Sequence, residues 1–281
     1  MPRLLHISDL HFGPPHLPKV REALLRLIPK LHLDGIVVSG DFTQRATEQE
    51  FIEARAFLDQ MQGLCNVPRV VIPGNHDVPL YRIFERITNP LGLYRKYISA
   101  NLDSKLTLGS LTLVGLDSTS PHRRITDGQL SSSQLEFTRQ AFAGVPEEDW
   151  KIVVAHHHFA PAHDRWKDRV MTKAGRAINC FVDLKVDMIL GGHLHRAYVG
   201  NSLDFFTGDH RERGIILVQS GTTTSRRGRG REKEKNTLNV IDFEKNKVQI
   251  KHYMYFSSDD EFAPTSKHEF PKPGLRLGEA G

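Results

Sequence analysis

Seven short apolar runs punctuate the chain: RLLHIS (3–8), GIVVSG (35–40), RVVIPG (69–74), LTLVGLD (111–117), KIVVAH (151–156), DMILGG (187–192) and GIILVQSG (214–221). They are short, rich in Val and Ile and bounded by turn-forming or charged residues, as strands buried on both faces are. Between several of them the apolar spacing becomes helical. Val20, Leu24, Leu27, Ile28 and Leu31 share one face of 18–31; Phe51, Ala54, Phe57, Leu58 and Met61 share one face of 47–61, behind a capping box of Thr47 and Glu50. SSSQLEFTRQAFA (131–143) is a third helix of this kind. Strand and helix alternate through the first two-thirds, which predicts an α/β fold. By contrast TLNVIDFEKNKVQIKHYMYF (237–256) alternates with period two around EKNK, a hairpin pattern that suggests a second, more antiparallel sheet. The basic, aromatic stretch 79–105 interrupts two strands and is expected to fold as a small cap. The polar residues 257–281 read as a poorly ordered tail, which leaves one domain over 1–256.

Composition narrows the classes. With 281 residues, 39% of them hydrophobic, the chain can bury a sizeable core. Neither an export signal nor an 18-residue apolar window is evident, so a membrane span is not expected. Two cysteines, Cys65 and Cys180, cannot supply a disulfide framework, and a reducing, cytoplasmic home is the simplest expectation. The net charge of +5 is uneven: residues 225–236, SRRGRGREKEKN, carry six Arg or Lys against two Glu. A loop of that kind is solvated, and it also suits capture of a phosphate from a substrate, a nucleic acid or a lipid headgroup.

The candidate chemistry lies just past the ends of the strands. In an open α/β sheet ligands bind beyond the carboxyl ends. There the chain places Asp9 and His11, then Asp41, then Asn75, His76 and Asp77, then His156 and His157, then His193 and His195. Unpaired polar groups at buried strand ends cost about 1–3 kcal/mol each, so something must satisfy them together. Two Asp, one Asn and four His form an oxygen and nitrogen donor set suited to first-row divalent metals, and without thiolate they do not resemble a structural zinc centre. Seven donors exceed the needs of one ion with open positions. Two ions sharing one carboxylate fit better, and such pairs serve in-line displacement at phosphorus.

The order D-x-H (9–11), GD (40–41), GNHD (74–77), a strand-end histidine at 156, and GHLH (192–195) resembles the calcineurin-like metallophosphoesterase superfamily, most closely its bacterial cyclic-nucleotide and glycerophosphodiester phosphodiesterase branch. The resemblance implies a four-layer αββα sandwich of two mixed β-sheets flanked by helices, with a small cap-like insertion. It implies a dinuclear centre of Mn, Fe or Zn, with Asp9, His11 and His195 on one metal, Asn75, His156 and His193 on the other, and Asp41 bridging. A hydroxide between the metals would attack phosphorus, and His76 would assist the leaving oxygen, its ring oriented by Asp77. Family members commonly end the 151–156 strand in HH followed by Pro; here the run is HHH, so His156 is the expected ligand and His157 the fallback. Arg226 and Arg227, on a turn that nears the metals in related sequences, are the expected substrate-binding residues. The other basic or histidine candidates, Arg123, Arg124, His163, Asp164 and Arg165, are read as surface or groove-lining, and His6 as structural.

The expected partner is a small phosphate ester, a cyclic nucleotide or glycerophosphodiester being the leading candidates. A nuclease or phosphomonoesterase would share the same metals. Binding of nucleic acid or a membrane surface through 225–236, without catalysis, is the non-enzymatic alternative. It is disfavoured because a structural site has no use for a proton donor at His76. The sequence leaves the oligomeric state open.

Overall fold

The computed structural model describes residues 1–123, 126–161, 169–206, 213–229 and 233–275. All seven apolar runs form strands: β1 (Arg3–Ile7), β2 (Gly35–Val38), β3 (Arg69–Val71), β5 (Leu111–Leu116), β6 (Trp150–Ala155), β7 (Met188–Gly191) and β9 (Ile216–Gln219). The three amphipathic stretches form α1 (Pro18–Leu27), α2 (Glu48–Leu64) and α5 (Ser132–Phe142). Helix α2 starts where the capping box requires, with the Thr47 side chain accepting from the Glu50 amide and Glu50 reaching back to the Thr47 amide.

Five further elements belong to the frame: β4 (Ser104–Leu108), α6 (Ala174–Asp183), β8 (Tyr198–Asn201) and the hairpin of β10 (Thr237–Phe243) with β11 (Lys247–Phe256). The strands make two six-stranded sheets, completed by β12 (Glu261–Pro271). The first runs β12-β11-β10-β1-β2-β3 and the second β4-β5-β6-β7-β9-β8. Strands β1 to β3 pair in parallel through crossovers carrying α1 and α2, and β5, β6 and β7 do so through α5 and α6. Each sheet is thereby covered by helices on one face, and its other face meets the other sheet. Leu4, Val37, Val70 and Ile72 of the first sheet share that inner core with Leu113, Ile152, Val154, Leu190 and Val218 of the second. The result is the four-layer αββα sandwich of two mixed sheets.

Three expectations change. The hairpin 237–256 founds no separate antiparallel sheet, because β10 pairs antiparallel with β1 and so extends the first, mixed sheet. Much of the polar tail is ordered: Glu261–Pro271 pairs antiparallel along β11 as an edge strand. Most of its side chains face solvent, with Phe262 in one core and Phe270 packed against the other, so its composition carries no strand alternation. The stretch 79–105 divides in two. Its second half, containing α4 (Gly92–Tyr97), is core, with Leu91, Tyr94 and Ile98 buried against the α2 layer. Its first half, with α3 (Ile83–Thr88), leaves Tyr81 and Phe84 82% and 81% exposed. No helix among the described residues is long and apolar enough to cross a membrane.

Candidate metal centre

The carboxyl ends of β1, β2 and β3 face those of β6 and β7, so residues far apart in sequence converge between the sheets. One ligand atom each of Asp9, His11, Asp41 and His195 lie within 4.8 Å of one another, all buried. Beside them His156 Nε2 is 3.4 Å from Asp41 Oδ2 and 3.3 Å from Asn75 Oδ1. His193 Nδ1 is 2.8 Å from the same Asn75 oxygen, and the His193 amide donates to Asp9 Oδ2 at 3.1 Å. All seven side chains expected as ligands are therefore brought together, with Asp41 between the two groups.

The backbone is bent to achieve this. Asp9, His11, Asp41, His193 and His195 all have positive φ, between 47° and 71°. Non-glycine residues rarely adopt this conformation, at about 1–3 kcal/mol each, and it persists only where the surroundings enforce it. At Asp9 the surroundings are explicit: its carbonyl accepts from Thr222 Oγ1 at 2.8 Å and its amide donates to Gly40 O at 3.0 Å. Gly74 is a second requirement, because a Cβ there would come within 2.2 Å of Asp41 Oδ1.

Several ligand atoms have no hydrogen-bond partner among the described residues. Asp9 Oδ1, both ring nitrogens of His11, Asp41 Oδ2 and His195 Nδ1 are buried without a hydrogen bond. Burial holds the His11 and His193 rings neutral, well below the ordinary histidine range, and pushes His195 down to about 3. Neutral imidazole is the form that ligates. Burial would lower His156 too, but the adjacent Asp41 overrides it and raises the ring to about 9. Burial also opposes ionisation of Asp41, yet His156 and His76 hold its carboxyl well below the usual range. With only the protein's own groups present, a proton on His156 thus supplies the positive charge that Asp41 needs. A pair of divalent cations fits this donor set, satisfying the orphaned atoms and replacing that proton. His156 Nδ1 donates to Ser39 O at 2.7 Å, which leaves Nε2 directed at Asp41 and Asn75. The His157 ring turns elsewhere, with Nδ1 2.8 Å from Ser118 Oγ.

His76 stands at the rim. Its amide donates to Asp41 Oδ1 at 2.8 Å and its Nδ1 to the Gln44 carbonyl at 2.9 Å, so Nε2 is the nitrogen left to meet a substrate. Asp77 does not orient that ring, contrary to the sequence expectation. Its carboxylate accepts from the amides of Gly74 (2.9 Å), Phe42 (3.3 Å) and Thr43 (2.9 Å) and from Thr43 Oγ1 (3.0 Å), stapling the β2 and β3 loops together. The contact that adjacency in sequence suggests for Asp77 is one the fold gives to Gln44.

Gln44 also reaches the other way, its Oε1 accepting from Arg227 Nη1 at 2.9 Å. Arg227 is half-buried and feels the attraction of Asp41 and Asp9. Arg226 is exposed, tied in only by its amide to Pro15 O at 2.9 Å among the described residues. Two cavities flank the centre and share Gln44 and Arg45. One, about 430 Å³, is lined also by Asn75, His76, Val78, Leu80, Arg86, Arg123 and Thr126; the other, about 410 Å³, by Pro14, Pro15, Arg226 and Arg227. Arg86 braces the first, donating to the carbonyls of Pro121 (2.6 Å) and Arg123 (2.7 Å). Arg124, His163, Asp164 and Arg165 lie outside the described residues, as does 230–232 of the basic loop.

Comparison with known proteins bears on this geometry. The calcineurin-like phosphoesterase profile matches residues 2–197. The chain is 28% identical over 167 residues to the 3′,5′-cyclic adenosine monophosphate phosphodiesterase CpdA of Haemophilus influenzae, a match covering 58% of this chain and 55% of that protein, so it spans little more than half of that relative's length. It is 28% identical over 209 residues to CpdA of Escherichia coli K12, covering 69% and 70% of the two chains. In fold it is similar to the purple acid phosphatase PPD1 of yellow lupin, with a TM-score of 0.67 at 14% identity over 95% of this chain and 53% of that one.

Proposed function

Because the chain belongs to the calcineurin-like phosphoesterase family, we propose that it is a metal-dependent phosphodiesterase acting on a small phosphate ester. The observation that carries the reading is the buried convergence of Asp9, His11, Asp41 and His195, whose orphaned donor atoms cations would satisfy and no described residue does. Asp9, His11 and His195 would hold one divalent ion, Asn75, His156 and His193 the other, and Asp41 both. Bound there, the ions supply a water of lowered pKa and neutralise charge on the phosphoryl oxygens.

The chain's own groups do the rest. Hydrolysis of a diester adds the oxygen of water to phosphorus and breaks one P–O bond, leaving an alkoxide that needs a proton. His76 Nε2 delivers it, since its Nδ1 is committed to the Gln44 carbonyl. A proton donor of this kind contributes about 10²–10⁴ in rate. Arg227, held by Gln44 beside the carboxylates, steadies the phosphoryl group. The names of the CpdA relatives make cyclic nucleotides the first natural substrates to assay.

The test is turnover of bis(para-nitrophenyl) phosphate by protein loaded with Mn²⁺, Fe²⁺ or Zn²⁺. Release of nitrophenol by the unaltered protein is the expected result, and hydrolysis of 3′,5′-cyclic AMP, whose leaving alkoxide needs a proton, should fall about 10²–10⁴-fold in His76→Ala with metal content unchanged. No turnover with any of these ions overturns the reading.

A further inference from the structure

A helix at a protein surface normally turns its apolar side chains to the core and its charges to water. Helix α3 does the reverse. It has no buried residue, and Ile83, Phe84 and Ile87 are 67%, 81% and 61% exposed, with Tyr81 exposed just before them. What holds it is its arginines. Arg82 donates to the Ala46 carbonyl at 2.6 Å and pairs with Glu85 at 2.5 Å, while Arg86 donates to the carbonyls of Pro121 and Arg123. Among the described residues, five of the nine exposed large apolar side chains fall within 80–87. That is one contiguous patch, not the scatter that any surface carries, and patches of this kind mark a face that something covers.

The patch runs into the mouth of the candidate metal centre. Leu80 and Arg86 line the same cavity as Asn75 and His76, together with Arg45 and Arg123, and no carboxylate among the described residues lines it. Arg45 is next to Ala46, where Arg82 is anchored, and Arg123 supplies one anchor of Arg86, so an exposed arginine stands beside each anchor of α3. The helix's one carboxylate, Glu85, is spent on Arg82. The surface that surrounds the apolar side chains is therefore positive.

Aromatic and aliphatic side chains set among arginines suit the headgroup boundary of an anionic bilayer, where the apolar groups enter the acyl edge and the guanidinium groups meet phosphates. A second copy docked on the same face would bring these arginines against their own counterparts, which like charge opposes. We infer that Tyr81, Ile83, Phe84 and Ile87 seat the mouth of the metal centre on an anionic phospholipid surface, with Arg45 and Arg123 on its phosphates. The chain lies on such a surface and no described helix crosses it. Docking of this kind needs neither metal nor turnover, so it stands or falls apart from the phosphodiesterase reading.

Co-sedimentation of the full chain with vesicles of equal parts phosphatidylcholine and phosphatidylglycerol, against phosphatidylcholine alone, tests it. Binding should favour the anionic vesicles and weaken as salt is raised. The Phe84→Ser, Ile87→Ser double variant should bind them about 10–100-fold more weakly, since both side chains would be only partly withdrawn from water at a headgroup boundary. Both are exposed in the free protein, so the unfolding temperature should not fall. Phe84→Trp should keep the affinity, and its fluorescence should shift to the blue on the anionic vesicles. No binding to the anionic vesicles, or equal binding to phosphatidylcholine alone, overturns the inference. So does binding undiminished in the double variant, which the basic loop 225–236 would give by charge alone. A dimer of the unaltered protein in light scattering, abolished in the double variant, would overturn it in favour of a second copy.

Discussion

The strand ends and the loops around them are built on opposite terms. At the strand ends Asp9, His11, Asp41, His156 and His195 are buried, their backbone or rings fixed by partners in two sheets. Around them Arg45, Leu80, Arg123 and Arg226 are exposed, and what positions them is loop packing. Buried groups with unmet donors can exchange partners only for metal, whereas exposed groups can be altered without disturbing their neighbours. Changes at the buried strand-end ligands should therefore act on metal content and kcat, and changes at the exposed loop residues on KM. Substitutions at Asp41, Gln44, Arg86 and His6 either break that division or sharpen it.

The largest effect is expected at Asp41. Its Oδ1 accepts from the His76 amide at 2.8 Å, and its Oδ2 lies 3.4 Å from His156 Nε2 and 3.6 Å from His11 Nε2. Asp41→Asn keeps the shape and removes the charge that both ions would share. The drop in kcat should exceed the roughly 10–100-fold typical of groups that only orient a ligand, and elemental analysis should find fewer than two metals per chain. Added Mn²⁺ should raise the unfolding temperature of the unaltered protein and do so less in the variant, since a ligand stabilises only what binds it. A variant that keeps both metals and most of its turnover would mean that Asp41 is not shared.

Gln44 tests the border between the two regions. Gln44→Ala keeps the backbone carbonyl that accepts from His76 but removes the amide that holds Arg227. The cost of freeing one charged hydrogen bond, about 1.5–3 kcal/mol, should appear mainly as a KM roughly 10–150-fold higher, with metal content intact. A fall in kcat with KM unchanged would show that Arg227 serves the transition state instead. Arg86→Ala, further out, frees the 121–123 loop and should raise KM only a few-fold, by about the net 0.5–1.5 kcal/mol of an ordinary hydrogen bond. Any loss of metal from that variant would break the division between strand ends and rim.

How legible these two regions are in the sequence depends on the same contrast. Asp9, Asp41, Asn75, His156 and His193 can be picked out because each comes directly after a run of buried Val, Ile or Leu, and the run both marks the strand and says where it ends. Alternation beyond β6 even separates His156 from His157, whose ring turns to Ser118. Gln44 leaves no mark, since its two contacts are made to residues 32 and 183 positions away and nothing local asks for an amide. Asp77 misleads for the complementary reason: adjacency to His76 suggests a contact, but its carboxylate is used up by four donors from the neighbouring loops. Strand β12 is hidden because an edge strand facing solvent on most positions has no buried face to write into the sequence.

The smallest effect on turnover, and the last test of the division, lies one layer beneath the centre. His6 on β1 is fully buried, with Nε2 2.9 Å from Ser39 Oγ and Nδ1 3.4 Å from Asn239 Nδ2. The Ser39 carbonyl in turn accepts from His156, so His6 supports the floor of the site without entering it. Burial lowers its pKa from the ordinary 6.5 to about 3. Between those values the unfolded chain binds a proton that the folded protein refuses, so stability rises with pH across that window. The contribution of His6 is complete above 6.5 and is lost as pH falls towards 3, at about 1.4 kcal/mol per pH unit. His6→Gln removes the titration while keeping a polar side chain. Denaturant unfolding of the metal-free protein should show the variant less stable at pH 8 and the two stabilities converging by about 2–3 kcal/mol towards pH 4.5. The other buried histidines titrate alike in both proteins and cancel in the comparison. Parallel curves would mean that His6 is hydrated or protonated in the folded protein, and with that the dry floor under the strand ends would go.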